Sequence, residues 1–114
     1  MRKIVLKNWG CEEWLVNNDK YCGKILYLNQ DKRCSLHRHK IKEETFYILE
    51  GEIELETRWE DEQSQITILS QGDTWEILVG QYHRFKAING LAILIEFSTH
   101  HDDNDVERLE LSPE

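Results

Sequence analysis

The chain has 114 residues, enough for one domain around a single hydrophobic core and too few for a second. Its formal charge of −8 argues against a nucleic-acid partner, because affinity for phosphate backbones needs clustered lysine and arginine. Apolar runs are too short to span a membrane, and charge interrupts the first residues too early for a signal peptide. We therefore expect a single domain over residues 1–114 in a cytoplasmic protein without membrane or nucleic-acid partners.

The N-terminal segment carries two tryptophans, Trp9 and Trp14, on a stretch that we predict to be a strand. It could cover the chain's own barrel or pair with a second subunit. Because an exposed strand edge with two such aromatics is costly, the sequence predicts a homodimer. The three cysteines contain no Cys-x-x-Cys pair and are interpreted as reduced packing residues, with a catalytic thiol as the alternative.

Glycine, asparagine and aspartate divide the remaining chain into segments of strand length. These segments are rich in Ile, Leu, Tyr, Phe and Thr, which favours an all-β fold. The predicted strands are Lys24–Leu28, Thr45–Leu49, Glu52–Trp59, Gln65–Leu69, His83–Ile88 and Leu91–Ser98. In Glu52–Trp59, residues Ile53, Leu55 and Thr57 alternate with glutamates, so the face that carries the glutamates should be exposed to solvent. Asn89-Gly90 predicts a hairpin turn between the last two strands.

Four side chains have the spacing of a metal site. His37 and His39 lie two residues apart and would share one face of a strand, and Glu44 can return from the next strand to meet them. His83 lies on a later strand and is the candidate fourth ligand. Imidazoles with one carboxylate suit one divalent transition metal, Mn, Fe, Co, Ni or Zn, rather than Ca or Mg.

The C-terminal tail, about residues 99–114, is acidic and is predicted to be a solvated, partly frayed end. His100 and His101 precede Asp102 and Asp103 in this tail. A second metal site there is disfavoured, because adjacent side chains on an extended chain diverge.

The pattern of His37, His39, Glu44 and Gly51 resembles the first motif of the cupin superfamily, with four residues before the glutamate and six after it. Residues in register with the second cupin motif are Gly72, Gly80 and His83. Departures from the family pattern are Asp31 in place of the opening glycine, Leu78 in place of proline and Ala87 in place of asparagine.

This resemblance implies an all-β cupin jelly-roll β-barrel whose two motifs face each other across the interior. An antiparallel β-sandwich without a pocket is the alternative fold. Further stretches look like the small sugar-phosphate cupins, particularly the C-terminal domain of type II mannose-6-phosphate isomerases and related sugar isomerases. These stretches are Trp9-Gly10, Glu12–Trp14, Tyr21–Lys24, Arg33–Ser35, Ile95–Phe97 and Asp102–Arg108. At the position of His37, the type II enzymes commonly have a different residue.

The resemblance implies a small-molecule sugar or sugar phosphate as substrate and aldose–ketose isomerisation as the reaction. Such chemistry needs a base that carries a proton between C1 and C2, and Glu96 is the candidate because it interrupts an apolar strand. A glutamate that faces solvent, or one paired with Lys or Arg, is the alternative.

Arg33 alternates with His37 and His39 and could hold a phosphate or carboxylate in the same cavity, with Lys24 as a second such cation. Rim charges are the alternative for both. Tyr47 and Trp75 could stack on a sugar ring, or pack in the core. Two other functions stay open, namely an Fe(II)-type cupin oxygenase and a non-catalytic sugar-binding module.

Overall fold

The structure is a computed structural model that describes residues 2–112, and this part of the chain contains nine β-strands and no helix. The strands are β1 Lys3–Lys7, β2 Gly10–Asn17, β3 Cys22–Leu28, β4 Leu36–Arg38, β5 Glu44–Arg58, β6 Gln65–Ser70, β7 Thr74–Ile77, β8 Tyr82–Ser98 and β9 Glu107–Glu110. All named strand pairs are antiparallel. The all-β prediction is confirmed. Among the described residues, no helix exists that could cross a bilayer.

Two long strands, β5 and β8, run side by side through the whole fold. Their register runs from Glu44 opposite Ser98 to Arg58 opposite Tyr82, and it shifts between Ile48 and Glu52. At the same level β8 bends through Asn89, with φ 58°, and Gly90, with φ 126°. The predicted hairpin at Asn89-Gly90 is therefore wrong, because both halves of β8 continue on the same partner strand.

Gly51 lies at this bend of β5 and has a φ of 84°. A Cβ atom there would lie 2.5 Å from the backbone oxygen of Leu91. The close approach of the two long strands therefore requires glycine at this position. Gly51 resembles a turn signal in the sequence, but β5 continues past it because the glycine forms a bend within the strand.

The bend divides the sheet into two halves. One half has the order β1-β2-β3-β8-β5-β7 and uses the C-terminal part of β8, whereas the other has the order β6-β5-β8-β4-β9 and uses its N-terminal part. Inward residues of both halves form one core, which includes Leu26, Phe46, Ile53, Leu55 and Leu94. Ile53, Leu55 and Thr57 are buried, and Glu54 and Glu56 are half-buried, so the predicted alternation along β5 is present.

The N-terminal strand covers the chain's own barrel, one of the two predicted arrangements, whereas the C-terminal end differs from expectation. Trp9 and Trp14 are only 6% and 8% exposed, so they face the chain's own interior and give no reason for a partner at this edge. At the other end β9 pairs with β4, along the edge of β4 that faces away from β8. The prediction of a frayed tail is therefore wrong for residues 99–112, while residues 113 and 114 lie outside the described part.

Candidate metal centre and its cavity

The four predicted ligands come together from three strands. His37 lies on β4 and His39 follows its end, Glu44 begins β5, and His83 on β8 is the direct cross-strand partner of His37. Ring nitrogens of the three histidines lie within 4.8 Å of one another. Oε1 of Glu44 is 3.1 Å from Nε2 of His39 and 3.2 Å from Nε2 of His83.

Each histidine ring is held by a backbone carbonyl. Nδ1 of His37 lies 2.8 Å from the oxygen of Ser35, Nδ1 of His39 lies 2.7 Å from that of Asp105, and Nδ1 of His83 lies 3.1 Å from that of Gln81. A carbonyl oxygen only accepts, so each Nδ1 carries the proton. In the neutral form of each ring the Nε2 lone pair can then bind a metal, which is the arrangement common among metal-binding histidines.

The unsatisfied atom at the centre is Oε1 of Glu44. It is fully buried and accepts no hydrogen bond from residues 2–112, although two ring nitrogens lie close to it. Once the Nε2 atoms are unprotonated, as metal binding requires, three lone pairs and a carboxylate oxygen face each other. A divalent cation satisfies all four atoms at once, so His37, His39, Glu44 and His83 fit a transition metal.

Electrostatics favours the unprotonated forms of His37 and Glu44. Burial, reinforced by the neighbouring rings of His83 and His39, lowers the pKa of His37 well below 6.5. Burial alone would raise the pKa of Glu44, but His83, His39 and Lys42 more than offset it and hold that pKa below its usual range. Both groups are thus in the form that binds metal at neutral pH.

A cavity of about 570 Å³ opens beside the histidines. Glu96 lines it and is buried, and its Oε2 accepts a 3.1 Å hydrogen bond from Nζ of Lys42. Lys42 is also buried and lies 3.8 Å from Glu44. Burial disfavours its charge, but the carboxylates of Glu96 and Glu44 raise the pKa of Lys42 overall.

Lys24 also lines this cavity and is buried. It is the cross-strand neighbour of Glu96, and its Nζ lies 3.6 Å from Glu12 and 4.1 Å from the centre of the Trp14 ring. The Lys24 side chain makes no hydrogen bond to another described residue. Of the predicted substrate-binding residues, Lys24 therefore reaches the cavity.

Three other predicted contacts lie elsewhere. Arg33 is exposed outside the cavity, because it precedes the start of β4 and the alternation assumed from an uninterrupted strand does not extend to it. Tyr47 points to the face of β5 opposite Phe46, and only Phe46 lines the cavity. Trp75 packs against the hydrophobic core, as the alternative interpretation held.

Sequence reasoning assigned no role at this site to three residues that lie near it, Lys42, His101 and Asp105. His101 is half-buried, with Nδ1 3.0 Å from Nζ of Lys42 and Nε2 2.8 Å from Asp103. The carboxylate of Asp105 accepts hydrogen bonds from the backbone N–H groups of Lys40, Ile41 and Lys42. Contacts between residues more than 50 positions apart leave no local pattern. The one available signal was the acidic stretch from Asp102 that resembles the small sugar-phosphate cupins.

Asp31, where the first cupin motif often opens with glycine, has a φ of 62°. Aspartate tolerates this left-handed conformation better than most residues, so the backbone that glycine would allow is preserved.

The chain has relatives of known name. No family model matches it. The D-lyxose/D-mannose isomerase of Thermosediminibacter oceani is 31% identical over 121 aligned positions, covering 86% of this chain and 67% of that protein.

Solved cupin structures have the same fold. The capsular polysaccharide assembling protein CapF from Staphylococcus aureus superposes with a TM-score of 0.86 at 18% identity, over 97% of this chain and 35% of its own. Oxalate decarboxylase from Bacillus subtilis gives 0.81 at 22% identity, over 95% of this chain and 30% of its own. This chain thus spans about a third of either protein.

KdgF from Halomonas sp. has a more similar length, with a TM-score of 0.76 at 13% identity over 91% of this chain and 89% of its own. These identities are low, so the structural likeness establishes the fold, and the predicted jelly roll is confirmed. Together with the relative that is 31% identical, it shows that the chain belongs to the cupin superfamily, in the family of small cupins that includes the D-lyxose/D-mannose isomerase.

Proposed function

We propose that His37, His39, Glu44 and His83 hold one divalent transition metal, Mn, Fe, Co, Ni or Zn. The observation that carries this proposal is the buried Oε1 of Glu44, which has no hydrogen-bond partner among the described residues and lies 3.1 Å and 3.2 Å from Nε2 of His39 and His83. When bound, such a metal acts as a Lewis acid that polarises a carbonyl or holds two sugar oxygens.

We further propose that the protein acts on a small sugar or sugar phosphate and interconverts an aldose and a ketose. Support comes from the relative named as a D-lyxose/D-mannose isomerase, and from a carboxylate that faces the cavity beside the histidine cluster. In this proposal Glu96 takes the proton from C2 of the aldose and returns it to C1, while the hydroxyl proton on O2 passes to O1 and leaves the carbonyl group at C2. The hydrogen bond from Lys42 fixes the Glu96 carboxylate, so its position relative to the substrate is set before binding.

Lys24 binds substrate oxygen in this proposal, because its buried ammonium group lacks a hydrogen-bond acceptor among the described residues. Trp9, Phe46 and Phe85 supply the apolar walls that exclude water around the reacting carbons.

Deuterium exchange tests the reaction. The protein is loaded in turn with Mn, Fe, Co, Ni or Zn and incubated in D₂O with pentoses, hexoses and their phosphates. We expect deuterium at C2 of a recovered aldose or C1 of the ketose. Glu96→Gln should retain the metal and lose the exchange, whereas Glu76→Gln, which alters an exposed strand glutamate, should exchange like the wild type.

Two outcomes would replace the isomerase proposal. Sugar binding without exchange under any metal would support a non-catalytic sugar-binding module. Oxygen consumption by the Fe(II)-loaded protein with a small acid would support a cupin oxygenase.

A further inference from the structure

His101, on the segment between β8 and β9, reaches the cavity and is held there at its backbone and at its ring. Its backbone N–H donates a 2.9 Å hydrogen bond to Oδ1 of Asn17, and the side-chain amide of Asn17 donates a 3.0 Å bond to the carbonyl of His101. The imidazole meets the Trp14 ring edge to face, with centroids 5.1 Å apart. These contacts fix the direction in which the two ring nitrogens point.

The two ring nitrogens of His101 have partners of opposite kinds. Nε2 lies 2.8 Å from the carboxylate of Asp103, which only accepts, so Nε2 carries a proton. Nδ1 lies 3.0 Å from Nζ of Lys42, and because an ammonium group only donates, Nδ1 presents its lone pair. Burial, with the charges of Lys42 and Lys24, lowers the pKa of His101 to about 4, so the ring is neutral at neutral pH. The three candidate metal ligands have the reverse arrangement, because their Nδ1 atoms face carbonyl oxygens.

The lone pair of His101 decides where the ammonium group of Lys42 lies. Nζ donates one hydrogen bond of 3.0 Å to Nδ1 of His101 and another of 3.1 Å to Oε2 of Glu96. It also lies 3.8 Å from Oε2 of Glu44, which is too long for a hydrogen bond. Without the acceptor on His101, Nζ is attracted by both buried carboxylates and is no longer held on Glu96.

The two oxygens of Glu96 are not equivalent. Oε2 accepts the bond from Lys42 and lies 3.2 Å from the hydroxyl of Ser98, whose single proton also has the carbonyl of Thr99 as an acceptor at 2.9 Å. Oε1 accepts no hydrogen bond from residues 2–112, and Glu96 lines the cavity. A carboxylate that is anchored through one oxygen keeps the other for the substrate, so Oε1 is the atom available as the base.

We propose that His101 is a positioning residue, whose Nδ1 holds Lys42 on Oε2 of Glu96 and thereby aims Oε1 of Glu96 at the substrate carbons. Asp103 keeps the proton of His101 on Nε2 and so leaves Nδ1 free to accept. The inference rests on the proposed role of Glu96 as the base. Oε1 takes the proton from C2 and returns it to C1, and Lys42 keeps its three protons throughout. His101 acts through Lys42 and does not touch the reacting atoms.

Nuclear magnetic resonance of the ¹⁵N-labelled, zinc-loaded full chain at neutral pH tests the contact without any substrate. Long-range ¹H–¹⁵N correlations distinguish a ring nitrogen that carries a proton from one that presents a lone pair. We expect a neutral His101 ring with its proton on Nε2. A ring of His101 with its proton on Nδ1, or with protons on both nitrogens, would overturn the proposal, because neither form accepts a hydrogen bond from Lys42 at Nδ1.

Kinetics test the positioning role, with the sugar that exchanges deuterium fastest among the pentoses, hexoses and phosphates of the D₂O assay. His101→Ala should lower kcat by about 100-fold, the effect of moving a reacting group by about 1 Å, and change KM less than about threefold. His101→Asn retains a hydrogen-bond acceptor and should recover at least about tenfold of that loss. His100→Ala, which alters the exposed neighbouring residue, should keep the wild-type kcat.

Circular dichroism and zinc analysis check that each variant folds and keeps its metal. If His101→Ala does not fold, Asp103→Ala replaces it and should lower kcat by about tenfold, because the proton of His101 is then no longer held on Nε2. A wild type that exchanges no sugar would overturn the isomerase proposal and this inference with it. A wild type that exchanges, together with a folded His101→Ala of equal kcat, would overturn the inference alone.

Discussion

The backbone carbonyl of Asp105 accepts a 2.7 Å hydrogen bond from Nδ1 of His39, while the Asp105 carboxylate accepts bonds from the loop that joins His39 to Glu44. One tail residue thus fixes both the ring orientation of one candidate ligand and the path of the chain to the next. Its own pKa is lowered, because the bonds from Lys42, Lys40 and Ile41 outweigh the effect of burial.

Asp105→Ala should therefore weaken metal binding by about 10- to 100-fold, the usual effect of removing support behind a metal ligand. The alanine variant keeps the backbone carbonyl that holds the His39 ring, but the loop loses the carboxylate that fixes its path from His39 to Glu44. Competitive titration with a chromogenic chelator measures the affinity. Asp19→Ala, at an exposed loop aspartate, is the control. Equal affinities for the two variants would show that Asp105 does not support the site.

The double variant His37→Ala, His83→Ala should lose stoichiometric metal and remain folded, because the ligands line a cavity rather than the hydrophobic core. Metal analysis of untagged protein gives the stoichiometry, and circular dichroism reports the fold. Loss of folding would mean a structural metal. Retention of one metal per chain would contradict the four-ligand assignment.

Removing one partner of the buried Lys42–Glu96 pair should cost about 3–5 kcal/mol of unfolding free energy, because the other charge is left without compensation. Lys42→Met and Glu96→Gln should each show this loss in chemical denaturation. Combining them should cost less than the sum of the two single losses, since neither charge then remains unpaired. Strictly additive losses would show that the pair is not coupled.

Stability of the metal-free protein should fall as the pH is lowered from about 6.5 to about 4. Burial, with the charges of Lys42 and Lys24, lowers the pKa of His101 from 6.5 to about 4. The unfolded chain therefore binds a proton in this range that the folded protein does not, so stability rises with pH across it. Burial of His37 acts in the same direction.

Denaturation at several pH values measures this slope. His101→Gln should reduce it, while His100→Gln, which changes the exposed neighbouring residue, should keep the wild-type slope. A slope unchanged by His101→Gln would assign the proton uptake to other groups.

The sequence alone predicted the all-β class, the segments that form most of β3, β5, β6 and β8, and the four residues of the histidine and glutamate cluster. Strand alternation is local, so the spacing of His37 and His39, and the burial pattern of Ile53 to Thr57, follow directly from a period of two. The cupin resemblance added the link to His83, because the two motifs occur at family spacing even though the residues are far apart.

Only the tertiary structure decided which side chains surround that cluster. Arg33 lies outside the cavity because β4 begins after it. Asn89-Gly90 forms a bend and not a hairpin turn, because β8 pairs with β5 on both sides of it. The site also includes Lys42, His101 and Asp105, because each contacts a residue more than 50 positions away in the chain. Local strand propensity cannot predict such contacts, because they depend on how the strands bend and pair. The packing of the whole core determines that bending and pairing.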